Sequence, residues 1–215
     1  MDADLLARLR REYGEAGLSE DAAGDDPYPL LDRWFADAVA AGITEPNAMA
    51  LATVGADGRP SVRVVLCKAL DARGLVFYTG YGSRKSRDLA VEPLCALAML
   101  WHDVGRQVRV EGPAERVPAA ESDAYFALRP RDSRLGAWAS PQSQVVPDRA
   151  DLERRLAEVE QRFDGQDDPP RPEHWGGWRV VPQVVEFWQG RHGRMHDRLR
   201  FTREGGGWRR ERLGP

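Results

Sequence analysis

The sequence predicts a mixed α+β chain, mainly antiparallel strands in a small β-barrel, decorated by helices. Three observations lead there. Short segments of period-two alternation recur at hairpin spacing, helical patterns come as insertions and ends, and no GxGxxG or GxxxxGKS/T loop signals a doubly wound parallel sheet.

Residues 2 to 13 read as a short amphipathic helix with Leu5, Leu6 and Leu9 at helical spacing, followed by a polar, Gly-containing stretch from Gly14 to Asp26. The first 26 residues are therefore expected to form an N-terminal helix and a segment able to move until something binds, and 27–215 a single domain. A second helix runs from about Pro29 to Ala41, where Leu30, Leu31, Trp34, Phe35 and Val39 form an apolar stripe ended by Gly42. From Ala48 the period changes to two, giving three strands in a meander: AMALATV, SVRVVLCKAL after the GADG turn, and LVFYT after DARG. GYGSRKSRDLAVEP begins as a loop and becomes a short helix with Ser83 at its N-cap. Strands follow at Leu94 to Trp101 and Gln107 to Arg116. Helical patterns return at PAAESDAYFALRP and at DRADLERRLAEVEQRF, the latter with acids and bases spaced for pairs along a solvated face. After a Pro-rich connector come strands at WRVVP, VVEFW, RLRFTR and WRRERL, the last two joined through EGGG.

The chain of 215 residues is 42% hydrophobic and 30% charged, an ordinary globular composition that excludes fibrous and broadly disordered classes. Thirty-one basic against 34 acidic residues leave a formal charge of -3, so there is no global field for nucleic acid, and any polyanion site must be local. No apolar run approaches a membrane span and no signal core is evident, which predicts a cytoplasmic protein. Cys67 and Cys95 suit buried free thiols better than a disulfide scaffold or a zinc site. Lysine occurs only twice, at Lys68 and Lys85; a compact ammonium suits phosphate or a close-packed ring, with chance placement as the bland alternative.

Four groups could carry chemistry. In SVRVVLCK, Val62, Val64 and Leu66 share one face continued by Lys68, while Arg63, Val65 and Cys67 share the other; an ordinary strand with snorkelling cations is the alternative. YTGYGSRK gathers Tyr78, Thr79, Ser83, Arg84 and Lys85 after a strand and at a helix start, where hydroxyls, backbone N–H groups and cations suit a phosphate. AYFALRPRDSRLGAWASPQSQ holds Tyr125, Arg129, Arg131, Ser133, Arg134, Gln142 and Ser143; Tyr125 and Arg129 at i, i+4 could grip a second phosphate, against the alternative of a basic turn around Pro130. In EFWQGRHGRMHDR, His192 and His196 have metal-ligand spacing, but Gly190 and Gly193 argue against a helix, so a ring-binding loop is preferred and no metal is expected. Trp188 alone would more often be core.

Together these groups resemble the pyridoxine/pyridoxamine 5′-phosphate oxidase family of flavoproteins. The resemblance rests on LRREY, EPNAMALATV, RVVLCK, FYTGYGSRK, RQVRVEG, YFALRPRDSRLGAWASPQS, WGGWRVVP, EFWQGRHGRMHDR and the terminal RLGP, in family order along nearly the whole chain. It implies an FMN-binding split β-barrel homodimer with FMN in each of two interface clefts. The FMN contacts it implies are Arg63 and the backbone that follows (Val64, Val65, Leu66, Cys67, Lys68), Tyr78, Thr79, Arg84, Lys85, Gln107, Gln142, Ser143, Trp188 and Arg198. Lys68, Tyr125, Arg129 and Ser133 would hold the substrate phosphate. Arg194, Met195 and His196 would cover the pyridine ring, Arg194 and His196 acting in catalysis, and Arg10, Arg11, Glu12 and Tyr13 would close over the site. The implied reaction is oxidation at C4′ of pyridoxine or pyridoxamine 5′-phosphate with oxygen as acceptor, the last step in making the vitamin B6 cofactor. Cys67, Gly80 and Met195 stand where the family commonly has Leu, Asn and Leu. The rival readings are a split-barrel flavin or deazaflavin reductase, which would not need Tyr125, Arg129, Ser133 or the 194–196 loop, and a non-catalytic carrier of flavin or pyridoxal phosphate, distinguished only by turnover.

Overall fold

The computed structural model describes residues 12–14 and 16–215. The predicted helix over 2 to 13 lies outside these residues apart from Glu12 and Tyr13, as do Arg10 and Arg11. Among the described residues the strands are β1 (Ala48–Val54), β2 (Pro60–Leu66), β3 (Ala69–Asp71), β4 (Gly74–Gly80), β5 (Leu94–Trp101), β6 (Arg106–Arg116), β7 (Trp175–Val180), β8 (Val184–Gln189), β9 (Asp197–Glu204) and β10 (Gly207–Arg212). The helices are α1 (Glu20–Ala23), α2 (Pro27–Ala40), α3 (Arg84–Val91), α4 (Ala119–Ala127), α5 (Arg131–Ala139) and α6 (Arg149–Arg162). No described helix is long and apolar enough to cross a membrane.

The chain divides into two compact units: the described residues up to Met49 with Leu97–Val110 and Gln183–Pro215, and Ala50–Ala96 with Glu111–Pro182. In the first, β8, β9 and β10 form an antiparallel meander with Trp188 opposite Arg198 and Gly207 opposite Glu204. The alternation of β9 turns Leu199 and Phe201 inward, where Phe187 meets Phe201 and Trp34 edge-on at ring separations of 5.8 and 5.2 Å. Trp34 comes from α2, whose stripe Leu30, Leu31, Trp34 and Ala38 is buried. This helix starts at Pro27, two residues before the sequence expectation, because Asp26 caps it by accepting from the Tyr28 amide at 2.9 Å and Pro27 already has first-turn geometry.

In the second unit β4 is buried along almost its whole length and pairs with β7, which in turn pairs with the end of β6. The predicted strand SVRVVLCKAL is two strands, β2 and β3, because the chain breaks register at Cys67 and Lys68. Arg63 and Val65 on β2 are half-buried, while Val62 and Val64 stay 69% and 67% exposed. RDSRLGAWA, readable as a basic turn, is the helix α5. Arg131 and Arg134 are turned onto the Pro-rich connector, Arg131 donating to the Phe163 and Gln166 carbonyls and Arg134 pairing with Asp168 at 2.8 Å. Cys67 and Cys95 are buried free thiols, and burial pushes them up to about 11 and about 12.

Candidate functional site

The second unit gathers eight of the sequence-predicted polar residues around one pocket of about 500 Å³: Lys68, Tyr78, Thr79, Lys85, Tyr125, Arg129, Ser133 and Gln142, with Val64, Val65, Leu66, Leu128, Pro130 and Trp175. β4 delivers Tyr78 and Thr79 at its end. The chain then turns through Tyr81 to Ser83 and starts α3, so Lys85 lies in the first turn of that helix. Ser83 occupies the N-cap position as predicted, yet its side chain makes no cap hydrogen bond. Its hydroxyl is engaged elsewhere, accepting from Lys85 Nζ at 3.4 Å and donating to Ser86.

Lys85 is 7% exposed, and Nζ also donates to Thr79 Oγ1 at 3.0 Å. Thr79 Oγ1 and the Gly80 amide both donate to Gln142 Oε1 at 2.9 Å, which brings the third sequence group onto the end of β4. No carboxylate pairs with Lys85 among the described residues. Burial, aided by the Arg63 cation, pulls its amine down to about 8. Arg63 donates to the Leu51 carbonyl, to Thr53 Oγ1 at 2.7 Å and to Ser61, and lies 3.7 Å from the buried Asp88 carboxylate, to which Thr53 also donates. Burial lowers the Arg63 pKa, Asp88 opposes this, and Arg84 adds to it.

Tyr125 and Arg129 are together, though not for the reason their spacing gives. α4 ends at Ala127, so Arg129 is beyond the helix. Aromatic stacking unites them instead: Tyr78 stacks on Tyr125 at 4.0 Å and 13° and lies parallel to Trp175 at 5.5 Å, while Arg129 Cζ sits 4.6 Å over the Trp175 ring. Arg129 Nη1 is buried with no hydrogen-bond partner among the described residues. Lys68, Arg84 and Ser143 are exposed, Ser143 at a left-handed φ of 67°.

The first unit holds the other predicted group. Trp188 and His196 face each other at 4.7 Å, and Tyr13 meets both edge-on at 5.3 and 5.6 Å. Tyr13 fits because residue 190 is glycine: a Cβ there would come within 2.4 Å of its ring. The Arg191 amide donates to His196 Nδ1 at 3.1 Å, which leaves the hydrogen of the neutral imidazole on Nε2. His192–Arg194 is a single 3-10 turn with Gly193 at φ 63°, so the two histidines do not share a helical face. Among the described residues no cluster of His, Cys, Asp and Glu suits a metal. Arg194 itself is left-handed at φ 62°, a strained backbone for a non-glycine residue, and Met195 is 69% exposed. Gln107 on β6 is half-buried in this unit.

Behind the loop lies an ion-pair cluster that the sequence reading missed. Asp197 accepts from the Leu18 amide at 2.9 Å, from Arg212 at 2.6 Å and from Arg191 at 3.3 Å, and Arg212 also grips Glu20 with two bonds. Burial raises the Asp197 carboxyl, but these three donors outweigh it and the group ends below its ordinary value. Glu186, also buried, holds Arg198 at 2.9 Å and Arg109 at 3.4 Å. Acids in WQGRHGRMHDR and VVEFW carried no distinguishing signal, since partners such as Leu18 for Asp197 and Arg109 for Glu186 are remote in sequence.

Antiparallel strands decorated by helices are the architecture of the FMN-binding split-barrel class. A structure of a pyridoxamine 5′-phosphate oxidase-related, FMN-binding protein from Nostoc punctiforme shares the fold, with TM-score 0.70 at 16% identity over 89% of this chain and all of that one. Residues 35–163 match the family description "Pyridoxamine 5′-phosphate oxidase", and residues 175–215 match "Pyridoxine 5′-phosphate oxidase C-terminal dimerisation region". Proteins named pyridoxine/pyridoxamine 5′-phosphate oxidase are similar along their length, one from Rubrobacter xylanophilus at 60% identity over 98% of this chain and 96% of its own, and one from Burkholderia multivorans at 56% over 98% and 99%. PhzG from Burkholderia lata, solved with tetrahydrophenazine-1-carboxylic acid, superimposes with TM-score 0.86 at 34% identity, covering 94% of this chain and all of PhzG. The chain belongs to the pyridoxine/pyridoxamine 5′-phosphate oxidase family and is an oxidoreductase.

Proposed function

We propose that the protein is an FMN-dependent oxidase of pyridoxine and pyridoxamine 5′-phosphates, acting as a cytoplasmic homodimer. The observation that carries this reading is the pocket in which Lys85 and Arg129 face hydroxyls and rings and, among the described residues, no carboxylate. Two phosphate-bearing ligands, cofactor and substrate, require two such cation groups, each phosphate bringing a charge of about -1.5 to -2.

The residues present fit FMN. Lys85, whose partners among the described residues are hydroxyls, and Arg63 would hold the FMN phosphate, with Arg84, Thr79, Gln142 and Ser143 as further contacts; the other residues named above as FMN contacts are proposed as such, each from its own unit. Bound FMN supplies a two-electron acceptor whose electrons pass on to oxygen. Lys68, Tyr125, Arg129 and Ser133 would hold the substrate phosphate and so fix the distance of C4′ from the phosphate anchor. His196 would offer its Nε2 hydrogen to the substrate, and Arg194 would hold the pyridine ring, with Tyr13 and its neighbours excluding water. For the alcohol, substrate and oxygen give pyridoxal 5′-phosphate and hydrogen peroxide; for the amine, water is also consumed and ammonia released. The exposed apolar face of β2, with Val62 and Val64, suits burial against a second copy.

The test is anaerobic addition of pyridoxamine 5′-phosphate to purified protein with its flavin band in view, then admission of oxygen. Bleaching, recovery, and formation of peroxide and pyridoxal 5′-phosphate are expected. A flavin band that does not bleach would move the function to a reductase or a carrier. Turnover of tetrahydrophenazine-1-carboxylic acid with none of either vitamer would favour a PhzG-like activity. Arg194→Ala is expected to lower turnover while the protein retains flavin; equal loss of both would refute this division of roles.

A further inference from the structure

We infer that Trp175 is a positioning residue that makes the site selective for phosphorylated substrate, by presenting the Arg129 guanidinium face-on with its hydrogen-bond donors unfilled. The inference rests on the reading of Arg129 as a ligand of the substrate phosphate.

Trp175 opens β7 and is 7% exposed. Its ring runs parallel to Tyr125 at 6.3 Å and 6° and meets Phe126 edge-on at 5.1 Å. Arg129 Cζ lies 4.6 Å from the Trp175 centroid and 5.5 Å from that of Phe126. Two residues on, the absence of a side chain at Gly177 lets the strand approach Tyr78, since a Cβ there would be 2.8 Å from the Tyr78 ring. The flat stack of Tyr78, Tyr125 and Trp175 thus depends on the WGG sequence at the start of β7.

Three other arginines of this unit, two of them buried, are held by carboxylates. Arg134 pairs with Asp168 at 2.8 Å, Arg171 with Asp123 at 2.7 Å and Arg179 with Glu121 at 2.8 Å. Arg129 has no carboxylate within 4.0 Å among the described residues, and Nη1 is buried without a partner. A carboxylate fills the guanidinium fork and cancels its charge. A ring face stabilises the cation from above and leaves the in-plane N–H groups free. Free donors on an uncancelled charge favour a dianionic phosphate, to which arginine can bond in bidentate fashion. A ligand lacking the phosphate gains nothing from this arrangement.

The experiment measures pyridoxal 5′-phosphate and pyridoxal binding to the flavin-loaded protein by absorbance titration, beside KM and kcat for pyridoxamine 5′-phosphate. Trp175→Leu is expected to cut the preference for the phosphorylated ligand about tenfold and to raise KM about tenfold, with kcat changed much less and flavin retained. Trp175→Phe, which keeps an aromatic face, should recover most of the loss. In an Arg129→Gln background, Trp175→Leu should change KM less than about twofold, because the residue acts through the guanidinium. If Trp175→Leu does not fold, Arg129→Lys, which removes the planar cation and leaves the rings, is expected to show the same tenfold loss, and Trp175→Phe should then have less than about twofold effect in the lysine background. Equal loss for pyridoxal and its phosphate, a loss confined to kcat, or a Trp175 effect that persists without Arg129 would overturn the inference. Wild-type protein that fails to oxidise pyridoxamine 5′-phosphate would instead count against the oxidase reading, and binding selectivity would still test Trp175.

Discussion

Two regions of the molecule are rich in cations and treat them in opposite ways. Around the turn from β4 into α3, Lys85 meets two hydroxyls, and in the same pocket Arg129 meets ring faces. Around the 191–198 loop, Arg191 and Arg212 converge on Asp197, Arg212 also binds Glu20, and Arg198 is held by Glu186. Cations already paired with carboxylates order the backbone and keep fewer donors for a ligand. Cations kept out of water with neutral partners are a standing demand for an anion. Burial thus serves structure in one region and ligand affinity in the other.

The sharpest way to break this comparison is Lys85→Met against Arg198→Met. Removing a buried cation from its bound anion should weaken flavin retention on the order of 100-fold, whereas loss of the Glu186-paired Arg198 should cost about tenfold or less; flavin content after gel filtration measures both, and equal losses would erase the distinction. Next, Asp197→Ala should lower stability by about 2 kcal/mol, since it leaves the Leu18 amide without its acceptor and takes one of two carboxylates from Arg212, with a drop in Tm of roughly 4–8 °C. Phosphate-loop affinity should be unchanged in that variant.

The pH dependence separates the regions further. The Lys85 amine sits at about 8 in the folded protein against an ordinary 10.5. Between these values the unfolded chain binds more protons, so this group's contribution to stability improves as pH rises. Phosphate binding has the opposite sign: the complex holds the proton, and affinity should fall by up to about tenfold per pH unit above about 8. Titrations of flavin binding from pH 7 to 9.5 check this, and Lys85→Arg should move the fall to higher pH. The smallest effect is expected at Gly190→Ala, where displacement of Tyr13 should cost about 1 kcal/mol. Chemical denaturation should show that cost shrinking when Tyr13→Ala is already present.

The strands were legible in the sequence because their signal is local. β5 spans the predicted Leu94 to Trp101, and β1 the predicted AMALATV segment. What failed was chemistry that depends on distant partners. Arg131 and Arg134 read either as part of a phosphate-gripping group or as a basic turn because nothing local announces that Phe163, Gln166 and Asp168 will receive them on helix α5. Ser83 read as a capping hydroxyl because sequence cannot say that Lys85 will fold back onto it. Tyr78, Lys85, Arg129 and Gln142, singled out from separate segments of the sequence, come together around one pocket, whereas Trp175 carried no signal of its own, an aromatic at a strand start being ordinary core.

The scarcity of lysine has a practical consequence. With Lys68 exposed and Lys85 buried, an aldehyde or acylating reagent meets two side-chain amines in this chain, one open and one shielded. Peptide mapping of such a reaction becomes a two-channel footprint of the pocket. The Lys68 channel reports access to the mouth and the Lys85 channel reports opening of the phosphate loop, with no label or engineered residue required.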